Sequence, residues 1–210
     1  NNHKVQILMK LHVRITLAAI LLLIAVPGSA SPGNFRFGAE WGVLYNFISL
    51  EKSTFITADR YLVESSNVVR ENHINGMLTV SAGYDIRNRV CISLCSGYLG
   101  AKKGERMVPL TLRTTVRLTR NPEDAGSLVF IESGAGFRKS SQISLLYRAG
   151  YGYRIPITGS VAVNVNASAL FSLSHPDVYD KYSNQMVSKK NLGMSRAFNS
   201  GILLSLAIVF

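Results

Sequence analysis

Side chains alternate in character along the last segment of the chain, residues 198–210. Bulky apolar side chains such as Ile208 and Leu206 share one parity, whereas small or polar side chains such as Ala207 and Ser205 share the other. Because successive side chains of a β-strand point to opposite faces, this alternation predicts a strand. One face of that strand suits lipid, and the other suits a cramped, partly polar interior.

The same period of two recurs in seven earlier segments, which are residues 34–48, 73–86, 89–98, 106–120, 127–138, 141–157 and 161–174. Alternating segments of this length, separated by turn residues, are typical of antiparallel β-barrels. The predicted fold is therefore all-β, an eight-stranded antiparallel up-and-down barrel, and the distribution of charges, glycines and aromatic residues over its two faces makes it a transmembrane β-barrel. If the barrel closes, the last strand pairs with the first and Phe210 lies near Phe35 or Phe37.

Two connections between the predicted strands are long. Residues 49–72 and 175–194 carry no sustained period and are predicted to form surface loops, although residues 55–63 leave room for a short helix or strand. In an outer-membrane barrel such longer loops face the cell exterior. Pro109 lies inside the fourth predicted strand, and because proline cannot donate to a β-ladder, we expect a bulge near the loop end of that strand.

Residues 1–30 have the features of a secretory signal peptide. A basic segment is followed by an uncharged run, residues 15–26, and by small residues at 27–30. The run is shorter than the ~20 residues that a membrane-spanning helix needs, so we expect cleavage after residue 30; an uncleaved anchor is the alternative. Residues 1–8 fit an upstream extension of the reading frame, and residues 31–210 form the predicted outer-membrane β-barrel domain.

The charge balance bears on the expected partners. The chain carries 23 Lys and Arg against 12 Asp and Glu, a formal net charge of +11. A basic protein can bind nucleic acid, but the export signal favours lipid phosphates or anionic glycans as partners. The sequence has no run of Lys and Arg with interleaved aromatic residues, so no nucleic-acid binding is expected.

The two cysteines, Cys91 and Cys95, lie four residues apart in one predicted strand. They therefore share a face at a separation of about 13 Å. A disulfide cannot span that distance without breaking the strand. No His, Cys or Asp cluster lies beside them, so we expect neither a metal nor a cofactor site here, and interpret both cysteines as small interior side chains.

A secreted lipocalin-like barrel has the same alternation, with its apolar face lining a cavity. Two properties of the polar face favour a membrane barrel instead. It carries the strand charges, namely Glu40, Asp85, Arg113, Arg117, Glu132, Arg148 and Arg154. It also carries the strand glycines that a crowded eight-stranded interior demands, namely Gly38, Gly42, Gly83, Gly97, Gly134, Gly136, Gly150, Gly152 and Gly201. The apolar face is essentially without charge.

Aromatic residues on the apolar parity fall into two bands. One band holds Phe35, Phe37, Tyr84, Tyr151, Tyr153 and Phe210, and the other holds Tyr45, Phe47, Tyr98, Phe137, Phe171 and Phe198. Among the strand aromatics, only Phe130 has the inward parity. Paired aromatic girdles are typical of proteins that cross a bilayer, because amphipathic rings favour the headgroup level.

The pattern resembles the small outer-membrane β-barrels of the OmpA/OmpX type. The segments Val108-Pro109-Leu110-Thr111-Leu112-Arg113 and Ala149-Gly150-Tyr151-Gly152-Tyr153-Arg154 are similar to outer-membrane β-barrel proteins of Bacteroidota. The resemblance implies a porin-like protein of the bacterial cell outer membrane. It also implies that the terminal Phe210 is an assembly signal read by the barrel-assembly machinery.

Four charged residues, Glu40, Arg113, Glu132 and Arg148, fall near mid-strand on the inward parity, and Arg117 lies one step along. Unpaired charges are costly in a setting of low dielectric constant, so we expect these side chains to pair with each other across the lumen. An eight-stranded barrel is barely wide enough to hold side chains, which favours a closed, salt-bridged plug. A narrow gated channel for small solutes is the alternative.

Three further sites remain open at this point. Lys102, Lys103 and Arg106 at the outer rim are candidates for lipopolysaccharide phosphate contacts. The two long loops are candidates for an extracellular ligand that nothing in them identifies. A lipid A-modifying enzyme is the remaining alternative, with Ser172, Ser174, His175, Asp177 and Asp180 as its residue types. We predict a structural or binding role without catalysis, a monomer, and outer-membrane lipids and lipopolysaccharide as its surroundings.

Overall fold

The computed structural model describes residues 35–57, 61–70, 72–87, 89–102, 105–119, 124–138, 143–158, 161–180, 185–188 and 190–210. The predicted signal peptide, residues 1–30, lies outside these ranges, and its cleavage stays a prediction. Within the described ranges, no helix is long and apolar enough to cross a lipid bilayer.

The described residues form eleven β-strands. They are β1 (Phe35–Ile56), β2 (Leu62–Val69), β3 (His73–Arg87), β4 (Val90–Lys102), β5 (Glu105–Arg117), β6 (Gly126–Arg138), β7 (Ile143–Pro156), β8 (Ala162–Ser174), β9 (Tyr179–Asp180), β10 (Gln185–Met186) and β11 (Leu192–Val209). The sheet has the order β11-β8-β7-β6-β5-β4-β3-β1-β2, and β11 also pairs with β1. Eight of these strands, β1, β3 to β8 and β11, therefore close into the predicted up-and-down barrel.

The last strand closes the barrel against the first. Trp41 lies opposite Leu206 in the antiparallel register of β1 and β11. At the end of this ladder, the backbone N–H of Phe37 donates to the carbonyl oxygen of Phe210 at 3.2 Å, and the N–H of Phe210 donates to the carbonyl oxygen of Phe37 at 2.8 Å. The predicted pairing of Phe210 with the first strand is confirmed. We call this end of the barrel the terminal end and the opposite end, which carries β2, the hairpin end.

The apolar parity points outward. Val43 is 54% exposed on the outer surface, whereas its neighbour Leu44 is fully buried in the lumen. Along β7 the outward residues Tyr147 and Tyr151 are exposed, and Arg148 between them is buried. The predicted assignment of the two faces is confirmed.

Glycines on the inward parity let neighbouring strands and side chains fill a narrow lumen. A Cβ atom at Gly42 would lie 2.6 Å from the carbonyl oxygen of Leu204. Gly97 has a φ of 155°, and a Cβ there would overlap the backbone of Leu78. Close approach of this kind is a reason to place glycine within a strand.

The prediction of a bulge near the loop end of the strand that contains Pro109, β5, is wrong, because the irregularity of this hairpin lies in β4. The β4–β5 register shifts between Gly100 and Lys102. Pro109 itself keeps register with Gly136 on β6. Pro109 lies between Met107 and Leu110, where the β4–β5 pairing is interrupted, so its missing N–H does not distort the ladder.

The prediction that residues 49–72 form a loop is wrong. β1 continues to Ile56, and β2 turns back and pairs with it, with Ser53 opposite Ser65. A register shift between Asn46 and Ile48 changes the parity at this point of β1. Beyond it each face mixes apolar and polar residues, so the hydrophobic period weakens although the strand continues. The other predicted loop, residues 175–194, contains the short strands β9 and β10 and the first residues of β11.

We expect Gly134→Val to destabilise the barrel by about 1–3 kcal/mol or more, because a Cβ there would overlap the backbone of Leu110 and Thr111. Urea unfolding in lipid vesicles, followed by tryptophan fluorescence, measures the change. Gly76→Val is the matched control, since it lies in β3 with nothing within 4 Å of an added Cβ. Equal free energies of unfolding for the two variants would contradict the crowded interior.

Candidate functional site

Glu40 on β1 lies at the centre of a buried ionic cluster. Nη2 of Arg113 donates to Oε2 of Glu40 at 2.6 Å, and Nη2 of Arg148 donates to Oε1 at 2.6 Å. The hydroxyl of Ser205 and, at 3.4 Å, the amide Nδ2 of Asn166 donate to the same Oε1. Glu40 is 3% exposed. One carboxylate thus accepts hydrogen bonds from four side chains on four other strands.

A second carboxylate, Glu132 on β6, completes the cluster. Nε and Nη2 of Arg113 donate to its Oε2 at 2.9 and 2.7 Å, and Nη1 of Arg148 lies 3.4 Å from the same oxygen. The hydroxyl of Thr111 donates to Oε1. Two guanidinium groups therefore face two carboxylates, and the four charges balance inside the lumen. We call Glu40, Arg113, Glu132 and Arg148 the lumen network.

Strand register explains how the network assembles. Arg113 on β5 lies opposite Glu132 on β6, which in turn lies opposite Arg148 on β7. These three side chains share the inward face of three consecutive strands. Glu40 reaches them from β1, and a lumen of eight strands is narrow enough for side chains to meet across it. The structure thus brings together all four residues that the sequence placed at mid-strand.

Phe130 supports both arginines. It is 3% exposed and has the inward parity expected for it. The guanidinium carbon of Arg113 lies 5.0 Å from the ring centroid, and that of Arg148 lies 4.8 Å from it. Cation–π contacts of this kind are stronger where the cation is desolvated. Phe130, an aromatic residue on the inward parity, is thus part of the charged interior.

Arg117 belongs to a second ionic cluster at the terminal end. Its Nη2 lies 2.7 Å from Oδ1 of Asp85, and its Nη1 donates to Oδ2 at 3.1 Å. Nε of Arg36 donates to the same Oδ2 at 3.1 Å. The prediction from the sequence placed Arg117 with the lumen network. It did not identify Asp85 as the partner of Arg117, or Arg36 as the partner of Asp85, in this second cluster. The inward parity of Asp85 and Arg36 is a sequence signal, but their register against Arg117 is not readable from it.

An apolar layer covers the network on the side of the hairpin end. It consists of Leu44, Met77, Leu99, Met107, Leu146, Leu170 and Leu203, all buried. Nη1 of Arg148 lies 3.9 Å from the sulfur of Met77, so the two layers are in contact. Sequence reasoning did not identify this layer, because parity does not show which inward residues of different strands lie at the same level of the barrel.

Little empty space is left in the described lumen. A cavity of about 10 Å³ lies between the network and the apolar layer, lined by residues that include Met77 and Glu132. A second cavity of about 60 Å³ lies at the terminal end, where Arg36, Arg117 and Arg154 are among its lining. The first has room for about one water molecule. Side chains rather than solvent therefore occupy the middle of the barrel.

The other predicted sites are described only in part. Arg106 is exposed near the start of β5, whereas the side chain of Lys102 and all of Lys103 lie outside the described residues. Nδ1 of His175 lies 2.5 Å from the backbone carbonyl oxygen of Ser195, and the hydroxyl of Ser172 accepts a hydrogen bond from Nδ2 of Asn199 at 3.3 Å. Within the described ranges, no group of three or more His, Cys, Asp or Glu side chains could hold a metal ion.

Both cysteines are free thiols buried in the lumen, without a disulfide between them, as expected. Cys91 lines the larger cavity at the terminal end. Cys95 lies opposite Ser81 on β3 and opposite Thr111 on β5.

The outer wall of the barrel is largely apolar. Large apolar side chains are exposed along every barrel strand. Exposed rings mark both ends, for example Phe37 and Tyr153 at the terminal end and Tyr45 at the hairpin end. Phe171 and Phe198 stack at the hairpin end, with ring centroids 5.9 Å apart. A closed barrel with an apolar exterior between two aromatic bands is a transmembrane barrel of the kind found in bacterial outer membranes.

No protein-family model and no curated protein matches the chain. Among solved structures, it is similar to the outer membrane protein AlkL in lipid bilayers, with 13% identity, 87% of this chain and 93% of that chain covered, and a TM-score of 0.47. It is also similar to Ail, the attachment invasion locus protein of Yersinia pestis, in complex with the heparin analogue sucrose octasulfate, with 10% identity, 84% and 99% coverage, and a TM-score of 0.37. Similarities at these identities and TM-scores do not identify a function.

We expect Glu40→Gln to lower the free energy of unfolding by about 3–5 kcal/mol, because it leaves two buried guanidinium groups facing one carboxylate. Urea titration in lipid vesicles measures this change. Glu64→Gln is the matched control on the exposed strand β2 and should shift stability by less than about 0.5 kcal/mol. If both variants unfold at the same urea concentration, the network is not a determinant of stability.

Proposed function

We propose that the protein is an integral barrel of the bacterial outer membrane with a structural or binding role, and that it does not catalyse a reaction. The observation that carries this proposal is the filled lumen. The lumen network and the apolar layer occupy successive levels of the interior, so the surfaces that remain for partners are the outer wall and the hairpin end. The Bacteroidota affiliation implied by the resemblance stays a prediction.

The energetics of the network support a closed lumen. An ion that crosses the barrel would have to separate Arg113 and Arg148 from Glu40 and Glu132. Breaking a buried ion pair costs about 3–5 kcal/mol. The side chains of the apolar layer beyond the network cannot replace the water around a passing ion. Both layers would have to move together for solutes to pass.

The hairpin end supports a binding role. β1 has 22 residues, about twice the ~9–11 that a strand needs to cross a membrane. Its second half, together with β2 and the first residues of β11, forms a three-stranded sheet beyond the aromatic band. β2 is mostly exposed, with exposed residues on both of its faces. Exposed segments on a rigid scaffold commonly carry binding functions, and an unidentified extracellular ligand is the partner we propose for this sheet.

The surroundings of the barrel follow from the same placement. Outer-membrane lipids and lipopolysaccharide contact the apolar exterior, and the barrel-assembly machinery reads the terminal Phe210. Because β1 and β11 close the sheet within the membrane, no open edge there requires a second subunit. A monomer is therefore the form we propose.

Conductance in planar bilayers tests the closed lumen. We expect the wild-type protein to give no discrete conductance steps, because the network and the apolar layer block the path. Insertion is checked separately by heat-modifiable migration of the same preparation, which a folded barrel shows. Discrete channels in the wild type whose conductance changes in Glu132→Ala would favour the narrow gated channel instead. A lipid A mass spectrum altered by expression of the protein would favour the lipid A-modifying enzyme.

A further inference from the structure

Two cations lie side by side on the outer wall near the hairpin end. Lys52 on β1 is directly opposite Arg196 on β11, and on its other side it is directly opposite Ser66 on β2. Lys52 and Arg196 are both exposed. The three residues form one row across three neighbouring strands, and we call them the rim row.

The rim row faces outward. Beyond the register shift in β1, Ser49 and Phe55 are buried on the inner face, whereas Leu50 and Lys52 are exposed on the other. On β11, Ala197 is buried and its neighbours Phe198 and Arg196 are exposed. Lys52 and Arg196 therefore share the wall that carries the apolar belt.

The height of the rim row matches the headgroup level of a bilayer. From Phe210 to Phe198, β11 advances about 40 Å along its axis at ~3.3 Å per residue. A tilt of roughly 40° converts this to about 30 Å, the thickness of a hydrocarbon core. Arg196 lies two residues beyond Phe198, or about 5 Å higher on the same estimate. The cations thus stand just above the outer aromatic band.

Like charges directly opposite each other destabilise a pair of strands. In the described part of the chain, neither Lys52 nor Arg196 makes an ion pair with an acidic side chain. Glu64 lies opposite Thr54, the next outward position of β1, and not in the row itself. An anion with several charged oxygens, held between the two cations, removes the repulsion and accepts hydrogen bonds from both.

We propose that the rim row binds a phosphate group of lipid A, the phosphorylated glycolipid of the outer leaflet. Arginine binds phosphate with two parallel hydrogen bonds, lysine adds a point charge, and the hydroxyl of Ser66 adds a donor. Directly below, Leu50 and the stacked rings of Phe198 and Phe171 offer an apolar floor for acyl chains. The site rests on the proposed outer-membrane placement, and it is distinct from the candidates Lys102, Lys103 and Arg106.

Binding of native and dephosphorylated lipid A tests this site. Purified protein in detergent micelles is titrated with each glycolipid, and bound lipid is measured by mass spectrometry. We expect the wild type to bind the phosphorylated form at least tenfold more tightly. The double variant Lys52→Gln, Arg196→Gln should lose this preference. Arg70→Gln with Lys190→Gln, two exposed cations outside the row, is the matched control and should keep it.

Lys52→Glu separates binding from folding. It places opposite charges at positions 52 and 196, so we expect the strands to be stabilised while lipid A binding falls at least tenfold. Lys52→Arg should retain binding. Loss of binding in Lys52→Glu together with lower stability than the wild type would assign the row a structural role and overturn the proposal.

Two further outcomes would also overturn it. In the first, a wild type that shows heat-modifiable migration binds native and dephosphorylated lipid A equally. The protein is then a folded barrel, but the rim row is not a phosphate site. Inorganic phosphate that competes at the same concentration as lipid A identifies a site for a free anion rather than a lipid. By contrast, a wild type that does not migrate as a folded barrel in any lipid would contradict the proposed function itself.

Discussion

The pairing of Glu40 with Arg113 and Arg148 is the interaction on which the rest of the structure depends. It joins β1 to β5 and β7, strands that are not neighbours in the sheet, so it ties opposite walls of the barrel together. Buried charges are tolerated only when they are paired and hydrogen-bonded. Here each carboxylate meets both guanidinium groups, and Ser205, Asn166 and Thr111 occupy further positions on the carboxylate oxygens.

The narrowness of the lumen connects this interaction to the glycines and to the outer wall. Phe130, which lies under both arginines, fits because Gly150 opposite it has no side chain, and a Cβ atom there would lie 2.5 Å from Cζ of the ring. Because the charged groups of the lumen are paired with each other, the outward positions between the two aromatic bands can be mostly apolar. The same division makes the wall an interface with lipid and leaves the hairpin end for contacts with water-soluble molecules.

Much of this architecture follows from the period of two in the sequence. Parity assigns Val43 outward and Glu40 inward, and closure of the barrel then places Phe210 near Phe35 or Phe37. Parity carries no register, however, which is why the partners of Arg117 on β3 and β1 were not identified. It also fails where a residue is inserted, as at Phe47, and where both faces are exposed, as along β2. There neither lipid nor a core imposes a hydrophobic pattern on the strand.

The two thiols in the lumen bear on the order of oxidation and barrel closure during assembly. Cys91 and Cys95 are 6% and 1% exposed, and a closed wall of strands separates them from solvent. An exported chain passes through a compartment that oxidises thiols. Before β11 joins β1 the lumen is not enclosed, and both thiols are open to oxidants and to other thiols. Closure of the barrel buries them, so reduced thiols in the folded protein would indicate that assembly preceded oxidation.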